Sequence, residues 1–234
     1  MLVDLLKSNF IFQNIASWIL SNSPFIVEHN VGKYQALKKA LYLTALDQLD
    51  GDYLEFGVFT GSSFVLAMRA HKKLKFLGEL STKFYGFDSF SGFGDIKNED
   101  YHKFYLTETF SVNSRKVIQN IKKKSKGLEV KVVEGFFKDT IRNKHPREFG
   151  ISVARVVFVD CDMKEPAKLV FKFIEPIIQQ GMILVMDDYY SYKGGSSLGV
   201  SGAFMDFCDK NPNIQWRTLF SYGYGGIAKI VSEI

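Results

Sequence analysis

Four carboxylates stand in two tight groups along this chain, in Asp160-Cys161-Asp162 and Asp187-Asp188-Tyr189. Each group follows a short apolar run, Val153 to Val159 and Met182 to Met186. If those runs are neighbouring strands, the four acids meet at one rim, where like charges repel. Two arrangements relieve the repulsion. A hard divalent cation such as Mg²⁺ would take the oxygens as ligands. Otherwise Lys or Arg side chains pair with the acids and no metal binds.

A second group begins at Glu55-Phe56-Gly57-Val58-Phe59-Thr60-Gly61-Ser62-Ser63. A strand here runs into a glycine-bearing turn and then a helix, whose first N–H groups lack partners within the helix. The Gly-x-x-x-Gly spacing is neither the Gly-x-Gly-x-x-Gly of pyrophosphate binding nor a P-loop. It suits a ligand without phosphate, such as S-adenosylmethionine (SAM) with its zwitterionic amino-acid part. The alternative is an ordinary strand-to-helix turn with a capped helix. Glu55, inside an apolar strand, is costly unless it has a partner.

Tyr85-Gly86-Phe87-Asp88-Ser89-Phe90 ends a second strand with an acid. In nucleotide folds that position holds a ribose diol, and the alternative is a turn or capping aspartate. After a third strand comes Glu134-Gly135-Phe136-Phe137-Lys138-Asp139-Thr140. Gly135 and Phe136 could flank an adenine ring. Asp139 either accepts from its exocyclic amine or caps the next helix. His102 lies in the long segment after the second strand and is a candidate general base or a plain surface residue. His29, His71 and His145 carry no visible constellation.

The elements that must position these residues alternate. Residues 1–50 read as helices, with Tyr34, Leu37, Leu41 and Ala45 at helical spacing. Strands are expected at 53–59, 84–87, 128–133, 153–159 and 182–186, and helices at 61–77, 114–126, 165–179 and from 202. The last two strands, 216–220 and 226–231, are expected to pair antiparallel. Alternation of this kind implies a mostly parallel sheet with helices on both faces, and ligands bind beyond the carboxyl ends of its strands. Residues 88–110 are too long for a simple connector, which suggests a functional loop.

Bulk properties bound the answer. The 234 residues suit one large domain with an N-terminal extension, and 46% apolar content builds a sizeable core. The formal charge of +5 rests largely on runs such as Lys122-Lys123-Lys124, so nucleic acid is not expected as a partner. Cys161 and Cys208 have no metal-type spacing, and a reducing cytoplasm is the simplest setting. The apolar stretch Phe10 to Leu20 is interrupted by Gln13, Asn14 and Ser17, so neither signal peptide nor spanning helix is expected.

Taken together, four segments resemble the macrocin O-methyltransferase (TylF/MycF) family of class I methyltransferases. They are Tyr53-Leu-Glu-Phe-Gly-Val-Phe-Thr-Gly-Ser, Tyr85-Gly-Phe-Asp-Ser-Phe-Ser-Gly-Phe, Glu134-Gly-Phe-Phe-Lys-Asp-Thr-Ile, and Asp160-Cys-Asp with Asp187-Asp-Tyr, together spanning roughly residues 50 to 190. The resemblance implies a Rossmann-like α/β fold with a mostly parallel seven-stranded sheet, an antiparallel last strand and N-terminal helices. It divides the chain into a helical extension (1–50) and a SAM-binding methyltransferase domain (51–234). It implies SAM- and Mg²⁺-dependent methylation of a hydroxyl on a sugar or glycosylated small molecule. Glu55, Gly57, Gly61 and Asp88 would hold SAM, joined from the motifs by Ser62, Ser89, Gly135, Phe136 and Asp139. Asp160, Asp187 and Asp188 would hold the metal, and Asp160 would also serve as base, with His102 as the other candidate. Phe90, Phe93 and Tyr189 could pack on the acceptor. The family's Tyr-Glu-Ser-Thr-like stretch after Asp-x-Asp is here Met163-Lys164-Glu165-Pro166-Ala167.

The expected partner is therefore a small hydroxylated acceptor, with no nucleic acid and no membrane, and a homodimer is compatible. Three rivals stand beside it: an NAD-dependent oxidoreductase, a non-catalytic SAM- or nucleotide-binding module, and an RNA methyltransferase. The missing Gly-x-Gly-x-x-Gly argues against the first, and the acidic rim against the second. Only the positive charge suggests the third.

Overall fold

The computed structural model describes residues 9–78, 80–94, 96, 101–105 and 110–234. Two helices come first, α1 (Phe10–Asn22) and α2 (Phe25–Leu46). They are followed by β1 (Asp52–Phe56), α3 (Ser62–Lys72), β2 (Phe84–Asp88), α4 (Ser114–Ser125) and β3 (Val130–Glu134). The second half contains α5 (Phe137–Thr140), β4 (Ala154–Val159), α6 (Lys164–Ile174), β5 (Ile183–Met186), α7 (Gly199–Lys210), β6 (Gln215–Tyr222) and β7 (Gly226–Glu233). Part of the loop expected between Asp88 and Phe110 lies outside the described residues.

The strands form one seven-stranded sheet in the order β3-β2-β1-β4-β5-β7-β6. All neighbours from β3 to β5 are parallel, and β7 runs antiparallel to both β5 and β6. The expected fold class, a mostly parallel sheet with an antiparallel last strand, is what forms.

Strand alternation divides the side chains between two cores. Leu54, Phe56, Val157, Val159, Leu184 and Met186 face α6 and α7, where Phe171, Phe173, Phe204 and Phe207 meet them. Tyr53, Val156, Phe158, Ile183 and Val185 face the other way, onto Leu37 and Leu41 of α2, Phe64 and Met68 of α3, and Ile121 of α4. The central strands are apolar on both faces because both faces are covered.

Some boundaries moved for identifiable reasons. The first strand stops at Phe56, because Gly57 turns the chain with φ of 96°. The helix expected to run to Gln179 ends at Ile174, before one 3₁₀ turn over Glu175–Ile177. Pro176 lacks the N–H needed to continue it. The segment expected as helix to Leu77 ends at Lys72, with a separate 3₁₀ turn at Lys75–Leu77.

Candidate active site

The sheet order reverses between β1 and β4, which are neighbours although two strands separate them in sequence. A crevice opens at the carboxyl ends there, as in other doubly wound sheets. The turn after β1 and the acids after β4 close it from two sides. The Asp160 N–H donates to the Phe56 carbonyl at 2.8 Å, and the Gly57 N–H to the Phe87 carbonyl at 2.9 Å. Gly57 is required by this approach: a Cβ there would lie 1.8 Å from the Asp160 carbonyl oxygen.

The crevice is a cleft of about 1700 Å³ lined by Gly57, Ser62, Asp88, Ser89, Phe136, Asp160, Asp187 and Asp188 from the expected set. A drug-sized pocket is roughly 300–1,000 Å³, so this cleft has room for two molecules side by side. Glu55, Gly61, Gly135, Asp139 and His102 do not line it.

Each of those five has a different placement. Glu55 lies fully buried beneath the turn. It accepts hydrogen bonds from the Ser63 hydroxyl at 2.6 Å and from the Tyr53 hydroxyl. Burial outweighs those bonds and pushes its carboxyl up to about 8, so Glu55 is neutral near pH 7. Gly61 precedes α3 in the left-handed conformation and packs against Ile121 and Val117 of α4. Gly135 turns the chain after β3, also with positive φ. Asp139 is exposed within α5, whose capping position is Phe136. His102 packs its ring on Tyr105 and Tyr192, at 4.7 and 5.2 Å between centroids.

Asp88 does two things at once. Its Oδ2 accepts from the Val58 and Phe59 N–H groups at 2.6 and 2.7 Å, and its Oδ1 from the Phe90 N–H at 2.5 Å. It therefore fixes the turn after β1 from the end of β2 while still facing the cleft. Burial raises its pKa against the pull of those three bonds. Of the aromatics expected against the acceptor, Phe93 lines the cleft and packs on Phe110 at 5.0 Å. Phe90 belongs to the α2-side core, and Tyr189 packs against the α7-side core.

The acids after β4 and β5 do converge. One carboxylate oxygen from each of Asp160, Asp187 and Asp188 lies within 4.8 Å of the others. Asp162 stands beside them, and burial together with Asp188 holds its carboxyl well above the usual range. The sequence reading did not anticipate the two side chains that reach this rim from α2. His29 Nε2 lies 3.1 Å from Asp187 Oδ2. Lys33 Nζ lies 2.9 Å from Asp160 Oδ2 and 2.6 Å from Asp187 Oδ2. His29 and Lys33 are four residues apart, so one helical face carries both; that spacing was the available signal.

The charges respond to these contacts. Burial pushes the Asp160 carboxyl up to about 7 against the opposing pull of Lys33. Burial would raise Asp187 too, but Lys33 and His29 outweigh it and hold this carboxyl below its usual range. The hydrogen bond to Asp187 raises His29 above its ordinary value.

A hard cation fits this donor set on one further observation. Asp187 Oδ1 is buried with no well-formed hydrogen bond, only the buried Tyr222 hydroxyl being drawn to its carboxylate, so it keeps lone pairs for a cation. SAM also fits the other end of the cleft. Ser62 and Ser63 bring the first turn of α3 to its wall, with unpaired N–H groups for a carboxylate. Phe136 and Phe137 offer apolar surface for an aromatic ring.

Comparison with known proteins agrees with this geometry. The family model described as Macrocin-O-methyltransferase (TylF) matches residues 22–210. Among solved structures, the O-methyltransferase NovP is 19% identical with a TM-score of 0.70, over 87% of this chain and 81% of that one. CalS11, a calicheamicin methyltransferase, is 21% identical with a TM-score of 0.68, over 98% and 89%. An O-methyltransferase from Bacillus cereus, solved in complex with SAH, is 16% identical with a TM-score of 0.54, over 98% and 95%. At these identities the structural likeness shows the fold. A search of curated protein sequences finds no match.

Proposed function

This chain belongs to the macrocin-O-methyltransferase (TylF) family and is an O-methyltransferase, and from that premise we propose that it moves the methyl group of SAM, with Mg²⁺, onto a hydroxyl of a sugar or glycosylated small molecule. The observation that carries this reading is the meeting of Asp160, Asp187 and Asp188 in the same cleft as the Gly57 turn and Asp88. A site for a hard cation thus faces a site for a phosphate-free cofactor. The neighbours' names point to the same acceptor class, since CalS11 is described as a TDP-rhamnose 3'-O-methyltransferase.

In this reading Gly57, Ser62, Asp88, Ser89 and Phe136 border the cofactor. Gly61, Gly135 and Glu55 act behind them by shaping and supporting the turns, and Asp139, exposed in α5, stands beside Phe136 as the remaining candidate. Asp160, Asp187 and Asp188 would hold the metal, which would supply Lewis acidity that lowers the pKa of an acceptor hydroxyl and orients it. Asp160, at the same rim, is the candidate to take that proton. Holding the oxygen in line with the methyl group supplies the rest of the acceleration. His102 remains the second candidate base.

The same reading takes residues 51–234 as the SAM-binding domain and 1–50 as a helical extension that lends His29 and Lys33 to the cleft. It places the enzyme in the cytoplasm, the simplest setting for the free thiols of Cys161 and Cys208. No helix among the described residues is long and apolar enough to cross a membrane. A homodimer is compatible, since α1 leaves Phe10, Trp18 and Leu20 exposed.

Calorimetric titration of SAM with and without Mg²⁺, followed by methyl transfer to hydroxylated sugars, tests the reading. Saturable SAM binding and Mg²⁺-dependent transfer are expected. Asp187→Ala should abolish that transfer and leave SAM binding largely intact. Undiminished turnover in the variant would remove the metal from the mechanism, and absence of SAM binding would remove the cofactor.

A further inference from the structure

The Lys33 side chain is only 13% exposed, and its ammonium touches two of the three candidate ligands at 2.6 and 2.9 Å. It arrives from α2, the helix packed over β4 and β5 on the Leu37 and Leu41 side of the sheet. Three carboxylates need positive charge, and Lys33 supplies one unit of it from within the chain. The demand is not fully met, because buried Asp187 Oδ1 has only the neutral Tyr222 hydroxyl drawn to its carboxylate. His29 adds a second contact from the same helical face, on Asp187 Oδ2.

We propose that Lys33 is a resident cation of this centre, competing with a divalent cation for Asp160 and Asp187. The proposal rests on the metal reading above and adds a residue to it. Two positive charges drawn to the same pair of carboxylates repel each other, and in a buried site little solvent screens them. Each therefore weakens the other's hold by the same factor. The centre stays organised in the absence of metal because Lys33 spans the two acids. Metal binding loosens the Lys33 end of α2, which also carries Phe25, Ile26 and His29 along the mouth of the cleft. Affinity for the cation is thus set partly from outside the ligand set, by a helix that also lines the cleft.

The test is calorimetric titration of Mg²⁺, and separately Mn²⁺, into the full-length wild type and into Lys33→Met, Lys33→Gln and Lys33→Arg. Removing the charge is expected to tighten binding roughly tenfold in the Met and Gln variants, within the ordinary range of site coupling. The Arg variant, which keeps the charge, is expected to stay near wild type. Circular dichroism of each variant identifies any that fails to fold, and two neutral variants keep the comparison usable. Binding in the wild type with unchanged or weaker binding in both neutral variants overturns the competition while leaving the metal reading standing. Binding only in the neutral variants supports it in its strongest form. No binding in any variant overturns the metal reading itself, and this proposal with it.

Discussion

Among the described residues Glu55 has no cationic partner within hydrogen-bonding distance, only two hydroxyls, and burial keeps it neutral. Its folded pKa of about 8 lies above the ordinary 4.5, so between those values the folded state holds a proton that the unfolded state releases. Its contribution to stability is complete below pH 4.5 and is lost as pH rises through 8. Denaturant unfolding at pH 5, 7 and 9 should show that decline in the wild type. In Glu55→Gln, which carries no titrating proton, the decline should flatten. Equal slopes in the two proteins would mean that the carboxyl is ionised in the fold. The Asp187 chemistry is of the opposite kind: the Lys33 charge and the His29 hydrogen bond hold that acid ionised, which is what a metal ligand requires.

Among the elements, the turn after β1 decides the shape of the cleft. Gly57 serves a backbone contact there, since its missing Cβ makes room for the Asp160 carbonyl. Gly57→Ala should therefore cost ~3 kcal/mol or more, combining left-handed strain with displacement of the β4 end. Gly127 is the control. Its φ is +84° but nothing lies within 4 Å of the added Cβ, so Gly127→Ala should cost only the conformational part, ~1–2 kcal/mol. Thermal unfolding of both variants checks the difference; similar losses would show that the Gly57 neighbourhood relaxes. α2 is the other decisive element. Its lower turns bury Ala36, Leu37, Ala40 and Leu41 on the sheet, and that packing presents Lys33 to the acids one turn earlier. Arg155 in β4 ties the same helix down, donating from its fully buried guanidinium to the Leu41 carbonyl at 3.2 Å.

Across the whole molecule, the sheet is held between two aromatic-rich layers. Phe56 stacks on Phe87 at 4.9 Å and meets Phe137 and Phe173 edge-on at 5.8 and 6.1 Å. Phe56→Ala leaves a cavity at the crossing of β1, β2 and α6 and should cost ~3–5 kcal/mol, measured by urea unfolding. A loss below ~1 kcal/mol would show that these rings re-pack around the gap. Cofactor binding is also a property of the whole fold. SAM at a hundredfold excess over its Kd should add ~2.7 kcal/mol, which for a chain of this size raises Tm by ~5–10 °C. NAD⁺ at the same concentration should leave Tm unchanged.

By itself, the sequence determined the sheet and the positions along it where chemistry could sit. Apolar runs such as Ala154–Val159 and Ile183–Met186 can be buried only as central strands. An acid directly after such a run has no place but the carboxyl edge, so Asp160, Asp187, Asp188 and Asp88 could be read as a rim before any coordinates. Local patterns of this kind carry the fold because side-chain periodicity and strand burial are set by near neighbours. Only the tertiary structure decided what faces that rim. Lys33 and His29 are separated from Asp187 by more than 150 residues, and no local spacing couples them to it. Their meeting depends on how α2 packs over β4 and β5. Glu55 and Gly61 likewise sit in motifs that name a binding turn, yet they lie behind its surface. Which side of a turn a residue takes is fixed by the layer packed beneath it: Ile121 of α4 under Gly61, and Ser63 with Tyr53 around Glu55.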